Sequence, residues 1–111
     1  MVYDENLAAR MRELLGTEPR LTEKKTFGGL AFLVGGNMAI AASRLGGVLV
    51  RADPAQSEEL VGSTNAEGAV MGGRPMTGWL RVAPEHVRTK RQLAKWVDVG
   101  AGYARTLPVK R

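Results

Sequence analysis

Paired glycines divide the apolar stretches of this chain into segments too short to form long helices. The two most elaborate runs are residues 22–38, TEKKTFGGLAFLVGGNM, and residues 71–82, MGGRPMTGWLRV. Gly-Gly pairs beside apolar segments suit turns that need a positive φ, or places where two backbones approach closely. The runs therefore predict short strands joined by tight turns. Neither run contains a nucleophile–base pair or a cluster of metal ligands.

Three other segments carry start and stop signals for helices. The predicted helices are residues 4–15, with Asp4 as N-cap and Gly16 as the stop; residues 53–62, with Asp53 as N-cap, Pro54 in the first turn and Gly62 as the stop; and residues 89–107, with a Thr89–Gln92 capping box. In the last of these, apolar side chains fall on one broad arc of the helix and charged ones on the opposite side, so we expect the arc to be buried against a sheet. The residues of this arc are Leu93, Trp96, Val97, Ala101, Tyr103 and Ala104.

The strands are predicted between these helices. They are residues 30–34, 38–43, 48–52, 69–71 and 78–82, with turns at 35–37, 45–47 and 72–75, and with a further strand or extended arm at 24–27 that bends at Gly28 and Gly29. The order is α-β-β-β-α-β-β-α. Strands joined by hairpins and helices gathered elsewhere indicate a two-layer α+β domain with an antiparallel sheet, and we expect residues 1–111 to form that single domain.

The composition argues against several functional classes. There is no cysteine and only one histidine, His86, and no phosphate-binding glycine loop is present. A catalytic triad or a metal site needs more partners than these. We therefore expect a non-enzymatic protein without a cofactor. The longest apolar run, residues 30–34, is too short to cross a bilayer, and the first residues lack the features of a signal peptide, so a cytoplasmic protein that does not bind membranes is predicted.

Positive charge is concentrated near the end of the chain. Residues 86–111 hold seven Lys or Arg against one acid, Asp98. Such a segment can attract nucleic acid or another polyanion. The predicted contact residues are Arg88, Lys90, Arg91, Lys95 and Arg105, aided by Lys110 and Arg111. The alternative is a solvated helix face followed by a frayed tail.

Four motifs follow one another in order along nearly the whole chain. They are Tyr3, Asp4 and Leu7; Lys25, Phe27, Gly28, Gly29 and Phe32; Gly36, Asn37 and Met38; and Gly73, Arg74, Pro75, Met76, Gly78 and Trp79. With the closing segment 103–108, this ordered set resembles the N-terminal domain of the TfoX/Sxy family, bacterial proteins associated with competence regulation. Thr26 departs from the methionine that the family often has at this position.

The resemblance implies both a fold and a function. The implied fold is a two-layer α+β domain similar to secretion-chaperone-like folds. The implied function is regulatory, since full-length members promote competence gene expression with the cyclic-AMP receptor protein. Those regulators carry a second, helical domain, and we expect this chain to resemble the N-terminal domain standing alone.

We therefore expect a regulatory or protein-interaction module with an unknown protein partner. The alternative is a nonspecific nucleic-acid-binding protein that uses the basic C-terminal helix. A homodimer is also expected, in which residues 30–34 or 38–42 pair across a two-fold axis.

Each matched residue also has a purely structural interpretation. Phe27, Phe32, Met38 and Trp79 suit a hydrophobic core. Arg74 either holds an acid or a carbonyl group in its turn or contacts a ligand, and the sequence does not choose between these. The glycines at positions 28, 29, 36, 73 and 78 are interpreted as requirements of backbone geometry.

Overall fold

The first and last helices begin at the capping residues that the sequence predicts. The computed structural model describes residues 3–26, 29–71 and 73–110. Helix α1 (Glu5–Leu14) begins where the Asp4 carboxylate accepts the amide of Leu7 at 3.1 Å. Helix α3 (Lys90–Thr106) begins at Thr89, whose hydroxyl accepts the Gln92 amide while the Gln92 side chain accepts the Thr89 amide. These bonds satisfy amides that have no partner inside a helix, which confirms both predicted starts.

The second helix begins later than predicted. Helix α2 is Ser57–Ser63, and the Asp53 carboxylate accepts the amide of Ala55 at 2.9 Å instead of capping the helix. Aspartate competes with helical hydrogen bonding through such local bonds, so Asp53 starts a turn that precedes the helix. The helix also continues one residue beyond the predicted stop at Gly62.

Within the described residues, six strands form one antiparallel sheet in the order β1-β2-β3-β4-β6-β5. The element order is α-β-β-β-β-α-β-β-α, which confirms the α+β class and makes the expected extra strand β1. The strands are β1 (Leu21–Thr26), β2 (Gly29–Val34), β3 (Asn37–Ala42), β4 (Val48–Arg51), β5 (Glu67–Met71) and β6 (Arg74–Val82), with a single 3₁₀ turn at Pro84–His86 before α3.

Strand β6 is longer than the sequence suggests. Arg74 and Pro75 were predicted in the turn, but they are the first residues of this strand, and Pro75 lies opposite Val70 of β5. Proline is tolerated at the beginning of a strand because few ladder hydrogen bonds are lost there. Gly73 supports the turn with a φ of 78°.

Alternate side chains of the sheet pack under α1 and α3 as the main hydrophobic core, which we call the helix-facing core. Phe32, Met11 and Leu93 are completely enclosed in it. The α3 side chains that the helical arc predicts, Leu93, Trp96, Val97, Ala101 and Ala104, are buried, whereas Tyr103 is only half-buried. The main strand contributions are Leu30, Phe32, Ile40, Val48, Val50, Leu80 and Val82.

The strands predicted to pair between two copies are interior strands. β2 is hydrogen-bonded to β1 and β3, and β3 to β2 and β4, so neither has a free edge. The edges are β1 and β5, and the predicted pairing of residues 30–34 or 38–42 across a two-fold axis is therefore wrong.

In the part of the chain that the structure describes, no helix is both long and apolar enough to cross a membrane.

Candidate functional site

The sheet face opposite α1 and α3 carries a second hydrophobic cluster, which we call the open face. Ala31, Ala41, Leu49 and Ala69 form its floor. Because side chains alternate along a strand, these residues point away from the helix-facing core. Four half-buried side chains pack on the floor: Leu33, Met38, Met76 and Trp79.

Three of these four half-buried side chains belong to the sequence motifs. Met38 comes from the β2–β3 hairpin, whereas Met76 and Trp79 come from β6, far along the chain. Phe32 lies in the helix-facing core as predicted, but Met38 and Trp79 do not, since they are only half-buried on the open face. The fold thus divides the predicted core residues between two sides of the sheet.

A groove lies beside Trp79, between α2 and β6, with a volume of about 740 Å³. This Trp79 groove falls in the size range of ligand sites in proteins. Gly78 shapes it, because its φ is 84° and a Cβ atom there would lie 3.0 Å from the Ala52 carbonyl oxygen and 3.1 Å from Pro54 Cγ. The lining residues are Pro54, Ala55, Ser57, Glu58, Val61, Gly62, Ala69, Pro75, Met76, Thr77, Gly78, Trp79 and Leu80.

Arg51 stacks on the ring of Trp79. The two residues are directly opposite in the β4–β6 pairing, and the guanidinium carbon of Arg51 lies 4.8 Å from the Trp79 ring centroid. The same carbon lies 5.5 Å from the Tyr103 ring centroid, so the cation contacts two aromatic side chains. Cation–π contacts of this kind hold a guanidinium in place. The sequence patterns did not point to Arg51, because its partners come from β6 and α3.

Arg51 has no charged partner among the described residues. The ion pairs there join Arg12 to Glu23 and Arg105 to Glu18. The Arg51 Nε atom is enclosed and has no hydrogen-bond acceptor within the described chain. Arg74 is exposed at the start of β6, and its side chain also makes no hydrogen bond to another described residue. The interpretation of Arg74 as a residue that holds its turn is therefore not supported by a contact with these residues.

Asn37 has a different role from Met38 beside it. It is 6% exposed, and its side-chain amide donates to the carbonyl oxygen of Pro108 at 2.8 Å. The Lys110 amide donates to the Gly35 carbonyl at 2.8 Å, so the segment 107–110 is fastened across the β2–β3 turn. A Cβ atom at Gly36 would lie 2.8 Å from Lys110 Cβ. The Gly36–Asn37 motif thus holds the C-terminal segment as well as forming the turn.

Four of the five predicted polyanion contacts are exposed and lie near the start of α3. These are Arg88, Lys90, Arg91 and Lys95, and none of them pairs with a carboxylate of the described chain. Arg105 differs, because its Nε donates to Glu18 at 3.0 Å and a second bond joins the same two side chains. The hydrogen bonds that Arg105 donates to the Glu18 carboxylate raise the pKa of Arg105. Arg105 is therefore already paired with Glu18 and is less available to a polyanion than the other four residues.

The remaining predicted site residues lie apart from the open face. Lys25 is exposed on edge strand β1, and Gly29 begins β2. Phe27, Gly28, Gly72 and Arg111 lie outside the described residues. On the same strand as Lys25, a hydrogen bond from Arg12 lowers the pKa of the Glu23 carboxyl. No group of three or more His, Asp or Glu side chains suited to a metal ion occurs within residues 3–26, 29–71 and 73–110.

The chain matches a known protein family. The model of a family described as the TfoX N-terminal domain matches residues 13–103, which include all the glycine motifs of the two runs. No curated protein and no solved structure matches the chain.

Proposed function

This chain belongs to the TfoX N-terminal domain family, and from that premise we propose that it is a non-enzymatic regulatory module that binds another protein through its open face. The observation that carries the proposal is the meeting of Met38, Met76 and Trp79 in one half-buried apolar cluster. Aromatic and methionine side chains are enriched at protein interfaces. Apolar side chains that are needed only for folding can be fully buried in the helix-facing core on the other side of the sheet. These three side chains remain partly exposed instead.

The partner surface combines the open face with the Trp79 groove. Trp79 contributes to both, since its ring packs on the floor of the open face and lines the groove. Val61 of α2 extends the apolar surface and is 39% exposed. A flat apolar face beside a groove suits a protein segment better than a small metabolite, because a segment can cover the face and insert one side chain.

The non-enzymatic part of the proposal is based on the available side chains. The chain has one histidine, His86, and no cysteine. His86 is half-buried in the 3₁₀ turn before α3, and the Met38–Met76–Trp79 cluster offers no base or nucleophile. A purified protein that turns over common hydrolase or transferase substrates, with loss of turnover in one side-chain variant, would oppose this part.

Photo-cross-linking in living cells tests the proposed surface. A photoreactive p-benzoylphenylalanine is placed at Leu33 or Met76 on the open face, and at Glu13 or Lys95 as exposed controls elsewhere. We expect a discrete protein adduct from the first two positions and none from the controls. Adducts that form only from Lys95, or from no position, would contradict the proposal.

A second candidate function is nonspecific nucleic-acid binding by the basic start of α3. It is favoured by the four exposed cations there, two of which oppose the helix dipole. At most four phosphate contacts are available, so affinity for a mixed-sequence duplex should fall steeply between about 50 and about 200 mM salt. The triple variant Lys90→Glu, Arg91→Glu, Lys95→Glu should abolish such binding, as measured by fluorescence anisotropy.

The matched control reverses three charges at another place. The variant Arg20→Glu, Lys24→Glu, Lys25→Glu changes the net charge equally at exposed positions on and before β1. If both triple variants lose affinity alike, total charge and not the α3 surface is responsible. Binding that survives the higher salt and distinguishes between sequences would instead indicate specific recognition, and would rank nucleic-acid binding above protein binding.

A further inference from the structure

The guanidinium of Arg51 is a charge that the described chain leaves without a counter-ion. Enclosing a charged group is costly unless it is paired, and unsatisfied polar atoms are rare in native proteins. Arg51 is half-buried, its Nε is enclosed without an acceptor, and no carboxylate of the described chain lies within 4.0 Å. Two stacking contacts, to Trp79 and Tyr103, hold it in this position.

This arrangement prepares Arg51 to receive an anion. Its two terminal amino groups donate to no described residue, and neither is among the enclosed atoms that lack a partner, so both remain available to an anion. A guanidinium binds a carboxylate through two parallel hydrogen bonds, and a fixed guanidinium loses less conformational entropy when it does so. The Trp79 ring that supports Arg51 is also a wall of the Trp79 groove. A bound anion would therefore lie next to an apolar groove.

We infer that the partner segment carries an aspartate or glutamate close to a large apolar side chain. The apolar side chain enters the Trp79 groove between Val61 and Met76, and the carboxylate pairs with Arg51. Glu58 on the α2 wall repels a carboxylate at that side, which directs the acidic residue towards β4. The inference rests on the proposed function, because it names the chemistry of the segment that occupies the open face.

A peptide selection tests this inference. A phage-displayed library of random dodecapeptides is selected on the full chain, and the enriched sequences are synthesised. We expect an Asp or Glu near an aromatic or aliphatic residue in these sequences, and binding that shifts the indole N–H resonance of Trp79 but not that of Trp96. Replacing the acidic residue by its amide should weaken binding by at least about tenfold, since an ion pair with two parallel hydrogen bonds becomes a single hydrogen bond from the guanidinium to a neutral acceptor.

Variants of Arg51 supply the complementary measurement. Arg51→Gln should lose the preference for the acidic peptide, and Arg51→Lys should recover only part of it because the planar donor pair is gone. The urea midpoint of Arg51→Gln should stay close to that of the parent, because the loss of the two cation–π contacts is offset by removal of an enclosed charge that has no counter-ion. Arg81→Gln is the matched control: it removes another half-buried guanidinium, whose Nη1 lies 3.4 Å from the Ser43 hydroxyl, and it should bind as the parent does.

Three results would overturn the inference: no enriched peptide, enriched peptides without an acidic residue, or equal binding by the parent and Arg51→Gln. The two proposals can fail separately. Cross-linking at Met76 could capture a protein while Arg51→Gln does not weaken that contact. In that case the open face binds a partner, but Arg51 does not pair with a carboxylate of that partner. If no adduct forms at Met76 or Leu33, the proposed function itself is wrong.

Discussion

Replacing Gly100 by alanine is expected to destabilise the protein by about 1–3 kcal/mol. A Cβ atom at this position of α3 would clash with the Ala39 carbonyl oxygen and would lie 2.9 Å from the Ala39 carbonyl carbon. The clash is with backbone, so it cannot be relieved by turning a side chain. Helix α3 would have to move away from β3, and the contacts of Trp96 and Ala101 in the helix-facing core would loosen.

Gly102→Ala in the same helix is the matched control. No atom lies within 4 Å of a Cβ built on Gly102, so the added methyl group meets open space. Alanine is favoured over glycine in a helix, and this variant should be stabilised by up to about 1 kcal/mol. Urea unfolding followed by circular dichroism measures both variants. Equal midpoints for the two would show that α3 and β3 do not approach as closely as described.

The helix starts could be predicted because their causes are local. The Asp4 cap and the Thr89–Gln92 box each join residues three positions apart, and both are present in the structure. Asp53 has the same local chemistry but uses it in a turn, which sequence spacing does not distinguish from a cap. Gly100 was overlooked for a related reason. A glycine adds nothing to an apolar arc, although its missing side chain is what allows α3 to reach β3.

The candidate site was predicted only as a set of residues, and the sequence did not show how the fold would divide that set. A register shift between Phe32 and Leu33 in the β2–β3 pairing places Met38 on the open face, and the shift has no sequence signature. Asn37, one position earlier, binds the Pro108 carbonyl. Such contacts depend on elements that are distant along the chain.

Arg51 illustrates the part of the site that lay beyond sequence reasoning. Its contact with Trp79 requires β4 to lie beside β6, although β5 comes between them in sequence. Its contact with Tyr103 requires the last part of α3 to lie near the end of β4. The helical arc predicted Tyr103 as a buried residue, and it is instead the half-buried second wall of the stack.

Gly29→Val is expected to destabilise the protein by at least about 2 kcal/mol. The sequence offered two reasons for a glycine in this motif, a positive φ or a close approach of backbones. The structure supplies the second at Gly29, because a Cβ atom there would clash with the Ala42 carbonyl oxygen and would lie 3.4 Å from Ser43 Cα. Valine would therefore separate β2 from β3 at the position where Leu30 pairs with Ala42.

Gly68→Val tests whether this cost comes from the close approach or from valine itself. Gly68 also lies in a strand, β5, but no atom lies within 4 Å of a Cβ built on it. Valine is favoured in strands, so this variant should unfold within about 0.5 kcal/mol of the parent or be more stable. Because β2 and β3 carry Ala31, Leu33, Met38 and Ala41, a Gly29→Val protein that still folds should also lose the cross-link from Leu33. A parent-like midpoint together with an intact cross-link would show that this motif glycine is required neither by the pairing of β2 with β3 nor by the open face.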